Sequence, residues 1–192
     1  FNHAFITAQT LLAGQQPDLV QATRSGPFHP RVARDSVILD LMIHDVDLLL
    51  LLTGSRHITA HVVGRSLVSE TIDSACATLS IGERTLATIA AHRASSKGTR
   101  ILQIETRDQH LMLDLGAQTV TQHHNSVTTT IAPTPGYNAL QEQLGAFIAK
   151  MPMGAMANQR THDVAVLTQT IALEKAALAH HATHKYLHAL SP

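Results

Sequence analysis

The stretch from Ser36 to Gly54, SVILDLMIHDVDLLLLLTG, limits what the rest of the chain can be. It is apolar almost all the way round a helix, and only Asp40, His44, Asp45 and Asp47 interrupt it with ionisable groups. Ser36 suits an N-cap, where a hydroxyl accepts from a first-turn amide, and Gly54 suits the left-handed residue that ends a helix. At about 100° per residue, Asp40, His44 and Asp47 lie within roughly 60° of one another, while Asp45 points elsewhere. A helix this apolar must be buried, and a carboxylate buried without donors costs several kcal/mol. The stripe therefore faces a polar cleft, a ligand or compensating donors. A membrane span is excluded on length: the apolar run is about 16 residues with charges inside it, against about 20 for a span.

Three chemistries fit such a stripe. It can be a buried polar network that fixes helix packing. It can share a metal ion between Asp and His one turn apart, although no third and fourth ligand stand at helical spacing, so no metal is expected. It can also do acid–base work: an imidazole with an ordinary pKa near 6.5 takes a proton from an alcohol at neutral pH, oriented by a carboxylate one turn away.

Composition narrows the partners. The chain has 192 residues, enough for one sizeable core, with 44% apolar and 15% charged residues. The formal net charge is zero and only 3% of residues are aromatic, which argues against nucleic acid and against an anionic membrane surface. One cysteine, Cys76, reads as a small buried hydrophobe; with no internal disulfide possible, the chain suits a reducing cytoplasm. Among the fourteen histidines, His180, His184 and His188 share one face at the C-terminal end, read as a solvated helix rather than a metal site. The sequence begins at Phe1 with no Met, which suggests a piece of a longer protein.

The periods along the chain predict one α+β domain over 1–192: a mostly antiparallel open β-sheet with helices packed on one face. A helix over Asn2–Ala13 carries Phe5, Ala8, Leu11 and Leu12, and a strand over Asp18–Ser25 leads into a proline-containing loop with Arg24, Arg31 and Arg34 in or beside it. Strands are expected at Ile58–Val68, Asp73–Ile81, Thr85–Ala94, Arg100–Glu105, His110–Asp114, Gln118–His123 and Val127–Ile131, joined as hairpins by short polar turns such as Ser95–Gly98. An amphipathic helix at Asn138–Lys150 presents Leu140, Leu144, Phe147 and Ile148, and a loop follows over Met151–Met156. Thr161 is read as the cap of a last helix, with Val164, Leu167, Ile171 and Leu178 on its core side. No G-x-G-x-x-G turn, P-loop, nucleophile elbow, C-x-x-C or H-E-x-x-H occurs.

DLMIHDVD resembles the D-x-x-x-H signature in the second domain of the Gfo/Idh/MocA oxidoreductases, and the likeness extends on both sides. Phe1-Asn2 resembles the family's RFNP segment and Gly26-Pro27-Phe28-His29-Pro30-Arg31 its GPFxPR segment. Asp73–Leu79 with Ala87–Arg93 resembles the strand pair after the helix, and the match weakens after about Thr119.

The resemblance implies a substrate-binding, catalytic and oligomerisation domain, its N-terminal Rossmann partner and an E-K-P lysine lying upstream. It implies oxidation of a sugar hydroxyl to a ketone with NAD or NADP bound mainly by that missing domain. Within it, His44 matches the proton-transferring residue and Asp40 the carboxylate that positions it or the substrate. Arg31, Arg93 and Asp47 are read as substrate-binding residues. The wording around the helix is closest to nucleotide-sugar 3-dehydrogenases acting on a UDP-N-acetylhexosamine. The alternatives are an inositol or simple hexose dehydrogenase domain, or a non-catalytic binding or oligomerisation domain. A homo-oligomer paired through the β-sheet is expected. All of this requires His44 to open outward rather than be walled in.

Overall fold

A computed structural model describes residues 2–133, 135–150 and 156–189, with the side chains of 147, 149, 150, 156–159 and 183–189 set aside. Its frame is an eight-stranded sheet. In chain order the elements are α1 (His3–Leu12), β1 (Leu19–Ser25), a 3-10 turn (Pro30–Val32), a π-helical turn (Ile38–Met42) running into α2 (Ile43–Thr53), and β2 (Ile58–Arg65). Then come β3 (Ser74–Ile81), β4 (Thr85–His92), β5 (Thr99–Glu105), β6 (Gln109–Asp114), β7 (Thr119–His124) and β8 (Val127–Ile131), followed by α3 (Ala139–Lys150) and α4 (Met156–Ala189).

Spatial order is β2-β3-β4-β1-β5-β6-β7-β8, with β1 parallel to β4 and every other pairing antiparallel. The pleat sends Val20, Ala22, Ala77, Leu79, Ala87, Ile89, Leu102, Ile104, Leu111, Leu113 and Val120 to one buried face. Gln21, Thr23, Cys76, Thr78, Ser80, Leu86 and Met112 project from the other face and are exposed. A period-2 pattern with one apolar face needs a covering layer on that face only. Helices supply it.

The N-terminal helix forms as read. Asn2 accepts from the Phe5 amide, Ala4, Phe5, Ala8 and Leu12 are buried, and Ala13 turns left-handed at φ 48° to stop it.

Four expectations need correction. β4 and β5 are not a hairpin, because β1 lies between them. The Ser95–Gly98 segment steps over the end of β1, where Gly26 N–H donates to His92 O and Ser95 N–H to Gly26 O. Turn chemistry is the same for a hairpin and for a connection that crosses one intervening strand, so local sequence cannot separate them. Second, β2 ends at Arg65, since residues 66–72 form a loop wrapped round the Asp73 carboxylate. Third, α4 begins at Met156, before Thr161, and its inward face is Val166, Thr170, Leu173 and Ala177. Val164, Leu167, Ile171 and Leu178 are exposed, as are Leu140, Leu144 and Ile148 of α3. Packing on β2 and α2 decided the face of α4. A Cβ on Gly64 of β2 would stand 2.9 Å from Ile72 Cγ2 and 3.4 Å from the Ala177 Cβ, so β2 needs a glycine where Ile72 and α4 pack against it. The loop expected over Met151–Met156 lies outside the described residues except Met156, which is helical. Fourth, Cys76 is exposed rather than buried. His184 and His188 lie on α4, their side chains outside the described set.

Candidate active site

The central stretch is not one uniform α-helix. Ser36 caps it as expected, its Oγ accepting from Leu39 N–H and donating to Glu174 of α4. The backbone then widens into a π turn over Ile38–Met42 before the α-helical hydrogen bonding of α2 sets in. Such a turn holds one residue more than an α turn, costs backbone geometry, and recurs where side chains must be aimed. Asp40 sits in it half-buried, and His44 follows in the first turn of α2, exposed. Gly54, at φ 64°, ends α2 with its N–H on Leu50 O. The greasy side of α2 (Val46, Leu49 and Leu50) faces the core, and His44 opens outward.

Behind His44 is an ion pair. Asp45, which is 2% exposed, receives Arg24 of β1 in a forked contact: Nε to Oδ2 at 3.0 Å, Nε to Oδ1 at 3.2 Å and Nη2 to Oδ1 at 2.8 Å. Arg24 falls in the inward register of β1, after Val20 and Ala22, so its charge has to find a carboxylate there. Arg24, one of the basic residues beside the loop, neutralises a carboxylate of the chain itself, and helical spacing alone leaves Asp45 off the polar stripe. The available signal was Arg24 itself, a cation at the next apolar position of an alternating strand.

Burial, then the charge of Arg24 and that of Arg100, press the His44 pKa below its ordinary value, against the opposite pull of Asp45 and Asp47. A lowered pKa favours the neutral imidazole, the form that can accept a proton. Asp47, one turn further on, does not pair with an arginine. Its Oδ1 accepts from His162 Nε2 of α4 at 2.6 Å, which ties the two helices together at a solvent-exposed edge.

Of the two expected arginine anchors, Arg31 is exposed on the 3-10 turn, with its backbone N–H on His29 Nδ1, and no ion pair holds its side chain among the described residues. Arg93 is a correction. It is 1% exposed, and its donors go to Asp73 Oδ1 at 2.8 Å, Val32 O at 2.7 Å, Thr71 Oγ1 at 2.7 Å and Ser69 Oγ at 3.3 Å, with Phe28 under the guanidinium. Asp73 takes three backbone amides, Leu67, Val68 and Ser69, each at 2.8 Å. Burial works to raise the Asp73 pKa, but those amides, Arg93 and Ser69 outweigh it and hold the carboxyl well below the usual range. Arg93 thus braces the loop that carries Arg31 and delivers the chain to Ser36. Four of its five N–H donors are spent inside the fold, and at 1% exposure the guanidinium is walled off from a substrate. Among the described residues, no group of three or more His, Cys, Asp or Glu side chains is arranged to hold a metal ion.

No family model matches the chain. A curated relative, the UDP-N-acetylglucosamine 3-dehydrogenase of Acidithiobacillus ferrooxidans, is 33% identical over 127 residues, which is 66% of this chain and 39% of the relative. The solved structure of UDP-N-acetylglucosamine 3-dehydrogenase GnnA from the same organism superposes with a TM-score of 0.81 at 27% identity, over 93% of this chain and 59% of that one. The chain is thus similar, in sequence and in fold, to a dehydrogenase of the Gfo/Idh/MocA type that its D-x-x-x-H segment resembles. A levoglucosan dehydrogenase in complex with NADH shares the fold, with a TM-score of 0.73 at 11% identity over 94% of this chain and 61% of that one. This chain spans 39% of the curated relative and about 60% of the solved dehydrogenases. The D-x-x-x-H segment from Asp40 to His44 runs from the π turn into the first turn of α2.

Proposed function

We propose that this chain is the substrate domain of a nicotinamide-dependent sugar dehydrogenase, working with a Rossmann domain outside this sequence. The likeness to a UDP-N-acetylglucosamine 3-dehydrogenase supports the 3-hydroxyl of a UDP-N-acetylhexosamine as the group oxidised. The observation that carries the reading is His44: an outward imidazole, its pKa pressed below the ordinary value, in front of a buried Arg24–Asp45 pair.

Oxidising a secondary alcohol to a ketone removes one hydride from carbon and one proton from oxygen. This chain's share is the proton. His44 takes it from the substrate hydroxyl as the C–H bond breaks, a contribution of about 10²–10⁴-fold for a well-placed base. Asp40, half-buried in the π turn one turn before His44, orients the imidazole or holds a neighbouring hydroxyl. Arg31, exposed and outside any ion pair among the described residues, meets the substrate from the loop side. Asp47 acts at one remove, anchoring α4 through His162. NAD or NADP, when bound, supplies the hydride acceptor. Without a glycine-rich β–α turn in this sequence, the nucleotide is held mainly by the other domain, and an exposed His44 suits a ring presented from outside.

The exposed sheet face, with Leu86 and Met112 among Thr and Ser residues, suits pairing between copies. No described helix is long and apolar enough to cross a membrane, and a cytoplasmic enzyme is proposed on the lone cysteine. The test is to offer UDP-sugars, hexoses and inositols to the full-length protein while following nicotinamide absorbance. Turnover of a nucleotide sugar supports the reading. Turnover confined to hexoses or inositols moves the substrate, and no turnover of any leaves a binding domain.

A further inference from the structure

Arg24 and Arg100 stand directly opposite one another in the antiparallel register of β1 and β5. Both point to the helix-covered face, because Ala22–Leu102 and Val20–Ile104, the next pairs in the same phase, are buried beneath the helices. Like charges placed across a strand pair repel, and a fold keeps such a pair only with compensation. Half of it is visible. Arg24 is buried and gripped by Asp45. Arg100 is exposed, and among the described residues its guanidinium has neither an ion pair nor a side-chain hydrogen bond. Its backbone is fixed, since β5 pairs on both sides and the Arg100 carbonyl accepts from Leu115 N–H at 2.8 Å. It is also close enough to His44 for its charge to be felt there. A rigid strand thus presents an uncompensated cation beside the proposed base.

We propose that Arg100 is a specificity-determining residue, whose guanidinium receives a phosphate or diphosphate group of the substrate next to His44. A guanidinium matches a phosphate with two parallel hydrogen bonds, which a neutral sugar cannot offer. The bound anion completes the compensation that Asp45 supplies to Arg24. It also removes the positive field on His44, so substrate binding itself strengthens the base. This assignment rests on reading His44 as that base.

The test uses this chain with UDP as probe, following the His44 ring resonances by NMR across pH, with sodium chloride at matched ionic strength as control. UDP raises the His44 pKa in the wild type beyond the salt control. Arg100→Gln weakens UDP at least tenfold and abolishes the rise, and Arg100→Lys restores part of both. Unliganded Arg100→Gln shows a higher His44 pKa than the wild type with an unchanged circular dichroism spectrum, which shows that the charge is in place in a folded variant. UDP leaving His44 unmoved in the wild type, or moving it equally in Arg100→Gln, overturns the assignment. The two readings fail separately: His44→Ala in the full-length protein tests the base, whatever UDP does to Arg100.

Discussion

Arg24 on β1 and Asp45 on α2 meet through three contacts of 2.8 to 3.2 Å with almost no exposure to solvent, one residue from His44. The pair locks the rotation of α2 against the sheet and so decides which way His44 faces.

Removing one partner leaves the other charge buried alone. We expect Asp45→Asn or Arg24→Met to cost about 3–5 kcal/mol. In a domain of this size that lowers Tm by roughly 6–20 °C, read by circular dichroism. Replacing both with apolar residues should recover most of the loss. A single variant within about 2 °C of the wild type would falsify the locking role.

Proton acceptance needs a neutral imidazole, and the environment of His44 lowers its pKa. The acid limb of kcat/KM for sugar oxidation by the full-length protein, which reports the free enzyme, should therefore have its midpoint below about 6.5, the ordinary histidine value. Activity is complete above that and falls as pH drops through the lowered value. His44→Ala should lose at least about 10² in turnover with an unchanged circular dichroism spectrum. A limb centred above the ordinary value, with chemistry rate-limiting, contradicts the assignment.

Asp73 carries the opposite sign of linkage. Its folded pKa is depressed, so its ionisation stabilises the fold above the unfolded value of about 3.9, and that share fades as pH falls towards the depressed one. Urea titrations should show Asp73→Asn destabilised by about 3–5 kcal/mol near neutrality, because Arg93 loses its only carboxylate partner among the described residues. The gap to the wild type should narrow in acid. A gap independent of pH would mean that the variant fails for another reason.

Packing of α4 gives a face test. Ala177 is fully buried against Gly64, whereas Val164 is 64% exposed. Ala177→Lys should unfold or strongly destabilise the chain, while Val164→Lys should stay within about 0.5 kcal/mol. Equal thermal melts for the two would place the wrong side of the helix inward.

The sequence by itself determined the elements and the proton-transfer candidate. Strand alternation marked one buried face, Ser36 and Gly54 bounded the central helix, and the D-x-x-x-H spacing singled out Asp40 and His44. Those features are local, and local sterics and capping act within a turn or a strand. Partners were decided only by the tertiary structure. β1 entering between β4 and β5 brings Arg24 to Asp45 and sets it opposite Arg100, while the loop before Asp73 turns Arg93 from an anchor into a brace. Likewise the inward face of α4, with Val166, Thr170, Leu173 and Ala177, follows from its packing on β2 and α2 and not from its apolar count, since Val164, Leu167, Ile171 and Leu178 stay exposed. An unpaired charge in a buried register announces that it needs a partner. Which residue answers depends on contacts between segments far apart in the chain, and no local period encodes those.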